Sequence, residues 1–199
     1  MAIKPILFNT EMVKAILEGR KTQTRRIVKT THGGSLEIHD DPGGRAVLCE
    51  KKESLCHGLK PPFEPGDILW VRETWHKDAG RYMYRANYAD DERFYRDGKE
   101  VQLRWSPSIH MPKEAARIFL RVKDVWVERL QYILACAGTV AKEGIPYDDE
   151  GDREASGLRF KELWDSTIKS ADRDHFGWEA NPWVWVIEFE CCEKPEGWH

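Results

Sequence analysis

The chain has 199 residues, of which 41% are hydrophobic and 33% charged, enough for one buried core under a wetted surface. Its net charge of −3 argues against strong, sequence-blind binding along a phosphate backbone, which needs a basic surface. No apolar run reaches bilayer length and residues 1–5 lack the pattern of a secretory leader, so a cytoplasmic protein with no membrane partner is expected.

In chain order, Ile6, Leu7 and Phe8 form a short apolar run, either a first strand or the entry to a helix. Thr10 is the expected N-cap of a helix over residues 10–18, with Met12, Val13, Ile16 and Leu17 as its apolar stripe and Gly19 as its stop. Residues 20–26 then leave the helix as a cationic turn. Residues 32–60 read as an insertion carrying a hairpin around 35–39 and 46–49. The turn Pro65-Gly66-Asp67 leads into a strand over 68–73, and a further strand is expected over 82–86. Asp97-Gly98 marks a turn between two weaker strands.

Residues 117–128 predict a long strand with a bulge near Asp124. Residues 131–143 read as a helix closed by Gly144. A second helix spans 158–168, with Leu158, Phe160, Leu163 and Trp164 facing inward. The last strand, 183–190, alternates Trp183, Trp185, Ile187 and Phe189 with Val184 and Val186. About five or six strands with short flanking helices suggest a small α+β barrel in one domain.

Charge is unevenly spread. Residues 1–30 hold seven Lys/Arg against two Asp/Glu, and residues 143–175 hold five against ten. A basic N-terminal patch can meet a few phosphates, or it is a solvated helix end. The five cysteines (Cys49, Cys56, Cys136, Cys191, Cys192) are odd in number and two are adjacent, so free thiols are expected. Cys49, Cys56 and His57 are the one zinc-like grouping, and no paired CxxC exists, so no metal or cofactor is expected.

Gly19-Arg20-Lys21-Thr22-Gln23-Thr24-Arg25-Arg26 is the most informative stretch. A lysine crowded by Arg20, Arg25 and Arg26 and partly desolvated loses its proton more easily, and so can serve as a base or nucleophile. If the turn stays helical, Lys21 and Thr24 share a face. The alternative is a basic turn placed to suit the helix dipole. Glu73, at the end of a strand, is an acid, a partner orienting Lys21, or half of a structural pair with Arg72 or Arg26. His110 and Ser108 lie in a Pro-bounded loop beside Trp105, a setting that can carry site residues. Trp75, Trp105, Tyr82 and Tyr84 are able to stack on a base.

Gly19, Lys21, Thr24 and Arg26 match the G-x-K-x-x-T-x-R signature of the ASCH family, PUA-like barrels linked to RNA. The Pro65-Gly66-Asp67 turn, the helical stretch ending at Glu143-Gly144 and the closing apolar strand follow in the family's order. Residues 69–75 and 107–112 resemble a longer version found in phages and prophages, with 32–60, 77–104 and 146–180 as expansions. The resemblance implies a small PUA-like β-barrel. Some bacterial members are amidohydrolases that deacetylate N4-acetylcytidine through a lysine and threonine of the signature and a later glutamate. Carried over by position, the catalytic residues are Lys21, Thr24 and Glu143, with Glu73 as the competing carboxylate. Arg26, Arg20, Trp75, His110 and Ser108 are the expected substrate-binding residues. The partner is then a small nucleoside or modified base. The alternatives are a non-catalytic RNA-binding module or a ribonuclease.

Overall fold

In the computed structural model, residues 1–30, 35–40, 46–52, 55–135, 138–146 and 153–198 are described. The architecture is mixed α+β and rich in strands. Strand β1 (Ile3–Leu7) leads into helix α1 (Thr10–Leu17) and strand β2 (Gln23–Ile27). Strands β3 (Ser35–Asp40), β4 (Ala46–Lys52) and β5 (Leu55–Gly58) make a separate antiparallel sheet. Then come β6 (Ile68–Arg72), the hairpin β7 (Trp75–Asp78) and β8 (Arg81–Tyr84), and the hairpin β9 (Phe94–Arg96) and β10 (Lys99–Val101). The long β11 (Phe119–Arg129) precedes α2 (Thr139–Lys142), α3 (Arg153–Thr167), α4 (Arg173–Phe176) and the closing β12 (Trp183–Cys192).

The main sheet has five strands in the order β1-β6-β11-β12-β2. Only β1 and β6 run parallel; the other neighbours are antiparallel. Pro5, which lacks an N–H, sits on an edge strand, where a missing donor costs least. The sheet stays open, so the expected closed barrel is not what this sheet forms. It is strongly rolled nonetheless. Four flat spacings would part the two edges by about 19 Å, too far for one side chain, yet Arg26 Nη2 of β2 donates to Leu7 O of β1 at 3.0 Å.

Strand β12 is buried on both faces. Trp185, Ile187 and Phe189 join Ile6, Val13 and Leu120 in one core, whereas Val184 and Val186 join Phe160, Trp164 and Trp178 in another. Its unbroken apolar run is therefore required by two cores, with α3 packed over the second. The turn Pro65-Gly66-Asp67 ties β6 to the chain start. Buried Asp67 accepts from Ala2 N at 2.7 Å, Glu64 N at 3.1 Å and Lys4 Nζ at 2.8 Å.

Several sequence expectations hold. Asp97 (φ 52°) and Gly98 (φ 73°) form the turn between β9 and β10, both in the left-handed region such a turn needs. The register of β11 against β12 shifts between Val122 and Asp124, where the bulge is expected. The antiparallel pairing expected around 35–39 and 46–49 is present as β3 and β4, joined by a third strand.

Others are corrected. The N-cap of α1 is Asn9, whose side chain accepts from Met12 N at 2.8 Å, and Thr10 is already helical. The cationic turn after Gly19 becomes strand β2, because residues 23–27 pair along β12. Residues 131–143 are not one helix: a 3-10 turn over Leu130–Leu134 is followed by the single turn of α2. Leu158 is exposed, while Ser156, Gly157, Phe160 and Trp164 form the buried face of α3. The side chain of Cys56, and Cys136, lie outside the described residues. Among the described residues no group of His, Cys, Asp and Glu is arranged to hold a metal, and no helix is long and apolar enough to cross a membrane.

Candidate functional site

The site grows from the seam between β1 and β2. Phe189 N–H donates to Thr22 O and Val28 N–H to Trp183 O, so even-numbered residues of β2 direct their main chain to β12. The odd-numbered carbonyls turn the other way, toward the open edge. Side chains from the same segment occupy them: Lys21 Nζ donates to Gln23 O at 2.8 Å, and Arg26 Nη1 to Arg25 O at 3.2 Å.

Lys21 is buried, and its ammonium has three acceptors for three protons. Besides Gln23 O these are Glu143 O at 2.9 Å and Glu143 Oε2 at 2.6 Å. The two residues also form an isolated antiparallel bridge, and Thr22 N–H donates to Lys142 O at 2.9 Å. Glu143 is buried too, and its other oxygen accepts from Arg25 Nη1 at 2.9 Å.

Gly144 permits this approach. Its φ is 90°, and a Cβ there would lie 2.8 Å from Ala15 Cβ and 3.1 Å from Lys21 Cβ. A glycine is needed both for the conformation and for the space.

Burial lowers the Lys21 pKa from its usual value, and Arg26 and Arg25 push the same way against the opposing pull of Glu143. Burial alone would raise the Glu143 pKa. The charges of Lys21 and Arg25, and their hydrogen bonds, outweigh it and hold the carboxyl below the usual carboxylate range. The cluster thus pairs an ionised carboxylate with a lysine unusually ready to lose its proton.

In front of the cluster lies a cavity of about 530 Å³. Thr24, Arg25, Arg26 and Glu143 line its polar floor. Phe8 and Met12 from the α1 side, and Phe160, Leu163 and Trp164 from α3, make its apolar walls. Thr24 Oγ1 accepts from Arg26 Nη1 at 3.0 Å, which leaves the hydroxyl proton free to be donated. The Phe8 ring lies 5.6 Å from Lys21 Nζ and 5.4 Å from the Arg26 guanidinium carbon, within cation–π range. Trp164 is held by its indole N–H, which donates to Phe176 O at 2.8 Å.

Of the residues expected from the sequence, Thr24, Glu143, Arg26 and Ser108 line this cavity, and Lys21 lies behind its floor, on Glu143. Ser108 is brought there by the bridge between Trp75 and Ser106. Four others stand elsewhere. Glu73 is buried against Arg117, which grips both its oxygens at 2.8 and 2.9 Å, so its partner is neither Lys21 nor Arg72 nor Arg26. Arg20 is exposed and donates to Gly144 O at 2.7 Å, clasping the turn that carries Glu143. Trp75 packs on Tyr82 at 5.7 Å, and His110 is exposed; neither lines the cavity. Tyr84 donates to Ala115 O at 2.7 Å beneath Arg117, and Trp105 packs against Tyr88 and Phe94, so these aromatics serve small local clusters.

Sequence reasoning named Arg25 only as a cation crowding Lys21, not as a partner of Glu143, and it missed Phe8 and the α3 wall. Arg25 falls at a variable position of the signature and Phe8 lies just past β1, so neither was marked as a site residue. Helix α3 lies within residues 146–180, taken as an expansion, yet it builds a wall of the cavity. Comparison with protein-family models, with curated proteins and with solved structures finds no match to this chain.

Proposed function

We propose that the chain is an ASCH-type, PUA-like protein whose cavity binds a small nucleoside-like amide, such as N4-acetylcytidine, and hydrolyses it in the cytoplasm. The fold part of this reading rests on the signature residues and on the rolled five-stranded sheet, whose edge strands approach each other at Arg26 and Leu7. The observation that carries the function is the pairing of Lys21 with Glu143 directly behind a floor that displays Thr24 and Arg26. The cavity volume suits a ligand of nucleoside size, and its walls offer aromatic and aliphatic faces to a planar ring.

The chemistry follows from the donors and acceptors present. With Lys21 in its neutral form, a water against Glu143 attacks the amide carbon and gives its proton through the carboxylate to the Lys21 amine, so the joint titration of the pair governs the step. The carbonyl oxygen gains charge in front of the Thr24 hydroxyl and the Arg26 guanidinium, both donors. When the C–N bond breaks, the proton held by the pair passes to the leaving amine. The products are a carboxylic acid and the free amine, and no atom is left over.

The test is release of cytidine from N4-acetylcytidine by the purified protein, with Lys21→Ala and Thr24→Ala alongside. Turnover by the wild type that falls by about 10²-fold or more in both variants is expected. A folded wild type without turnover overturns this substrate. RNA binding is the competing reading, favoured by the excess of Lys and Arg over residues 1–30. It would weaken steeply with added salt, whereas nucleoside turnover would hardly respond.

A further inference from the structure

Arg25 has a second carboxylate that the reaction does not use. Its Nε and Nη2 donate to Glu128 Oε1 at 3.0 and 2.7 Å, while Nη1 reaches Glu143. Glu128 Oε2 in turn accepts from the Trp126 indole N–H at 3.0 Å. The sheet register explains the row. Trp126 of β11 and Arg25 of β2 both lie opposite Val186 of β12, and Glu128, two residues beyond Trp126, emerges on the same face. The Glu128 side chain is nearly buried, and the residue does not line the cavity.

We propose that Glu128 is a positioning residue of the site, which aims Arg25 at Glu143 and offsets its charge. A guanidinium gripped on two nitrogens by one oxygen has little freedom left at the third. Around Glu143 stand three cations, Lys21 and the β2 residues Arg25 and Arg26, and Glu128 is a further anion bound to Arg25. The wall residues that α1 and α3 present here are uncharged, and β12 contributes Val184 and Val186 at this row, with Glu188 the next residue on that face, opposite Gln23. Arg20, Glu18 and Lys142 sit at the neighbouring surface. Removing the Glu128 charge leaves Arg25 uncompensated, which disfavours the protonated form of Lys21. Its titration must then move to lower pH.

The decisive measurement is the titration of Lys21 followed by NMR on ¹³C-lysine-labelled protein, without substrate. Glu128→Gln is expected to move it down by about 0.5–1 unit. The inference rests on the hydrolase reading only for its kinetic arm, where the acid limb of kcat/KM for N4-acetylcytidine moves the same way. Glu128→Asp keeps the charge but cannot reach Trp126 and Arg25 together. It is expected to lower kcat/KM several-fold with the Lys21 titration little changed. A folded Glu128→Gln protein with an unmoved titration overturns the proposal. So does Glu128→Asp with unchanged kcat/KM, which serves should the Gln variant fail to fold. A shifted Lys21 titration in Glu128→Gln together with a wild type that shows no turnover sinks the hydrolase reading and leaves the role of Glu128 standing.

Discussion

Lys21 Nζ and Glu143 Oε2 lie 2.6 Å apart with both side chains almost wholly removed from solvent. Two segments of the chain 122 residues apart are joined by this pair and by the main-chain bridge beneath it. Breaking one side of such a pair leaves the other charge buried without a partner. Glu143→Ala is therefore expected to cost about 3–5 kcal/mol in urea denaturation. The double variant Lys21→Met, Glu143→Leu should recover most of that loss. Equal costs for the single and double variants would show that the pair does not stabilise the fold as a unit.

Gly144 controls the same junction from the backbone. Gly144→Ala forces a Cβ into Ala15 and Lys21 at a φ of 90°. The conformation costs about 1–2 kcal/mol and the overpacking about 1–3 kcal/mol. A drop of this size in the urea midpoint free energy, with weakened turnover of N4-acetylcytidine, is expected. A neutral substitution would mean that α1 yields freely at Ala15.

How much of this was legible beforehand depends on whether a residue's role is local. Asp97-Gly98 and the bulge near Asp124 were readable because turn chemistry and a break in alternation act within a few residues. The strand character of residues 23–27 was not, since two adjacent arginines carry no β signal and the strand exists only because β12 lies beside it. Leu158 was placed inside a helix face on periodicity, but the exposed side of α3 happens to include it, and small Ser156 and Gly157 pack inward instead. Lys21 and Thr24 came from the signature, and Glu143 from its position in the resemblance. Their shared neighbours Arg25 and Glu128 required the sheet register, which no single segment encodes.

Acid should loosen the tie between the starts of β1 and β6. Lys4 and the two main-chain donors hold the Asp67 carboxyl below its ordinary 3.8 despite the opposing effect of burial. A depressed carboxylate contributes stability that is present above the unfolded value and lost as pH falls through the folded one. The urea midpoint of the wild type should therefore decline below about pH 3.8. Asp67→Asn should be less stable at pH 7 and show a shallower decline in that window. Parallel curves for the two proteins would assign the acid loss to other carboxylates, with Glu143 first among them.

The α3 wall offers a way to close the cavity without touching its polar floor. Leu163 is half-buried and lines the cavity, yet it makes none of the hydrogen bonds that hold Lys21, Glu143 or Arg25. Leu163→Trp adds a ring on the cavity side, where there is room, so the core beneath Trp164 need not repack. If the ligand sits between this wall and Thr24, cytidine affinity should fall at least tenfold, about 1.4 kcal/mol, as read by isothermal titration. The urea midpoint should stay close to that of the wild type. Undiminished affinity would place the ligand elsewhere, because a ring of that size cannot share the cavity with a nucleoside that uses the same wall.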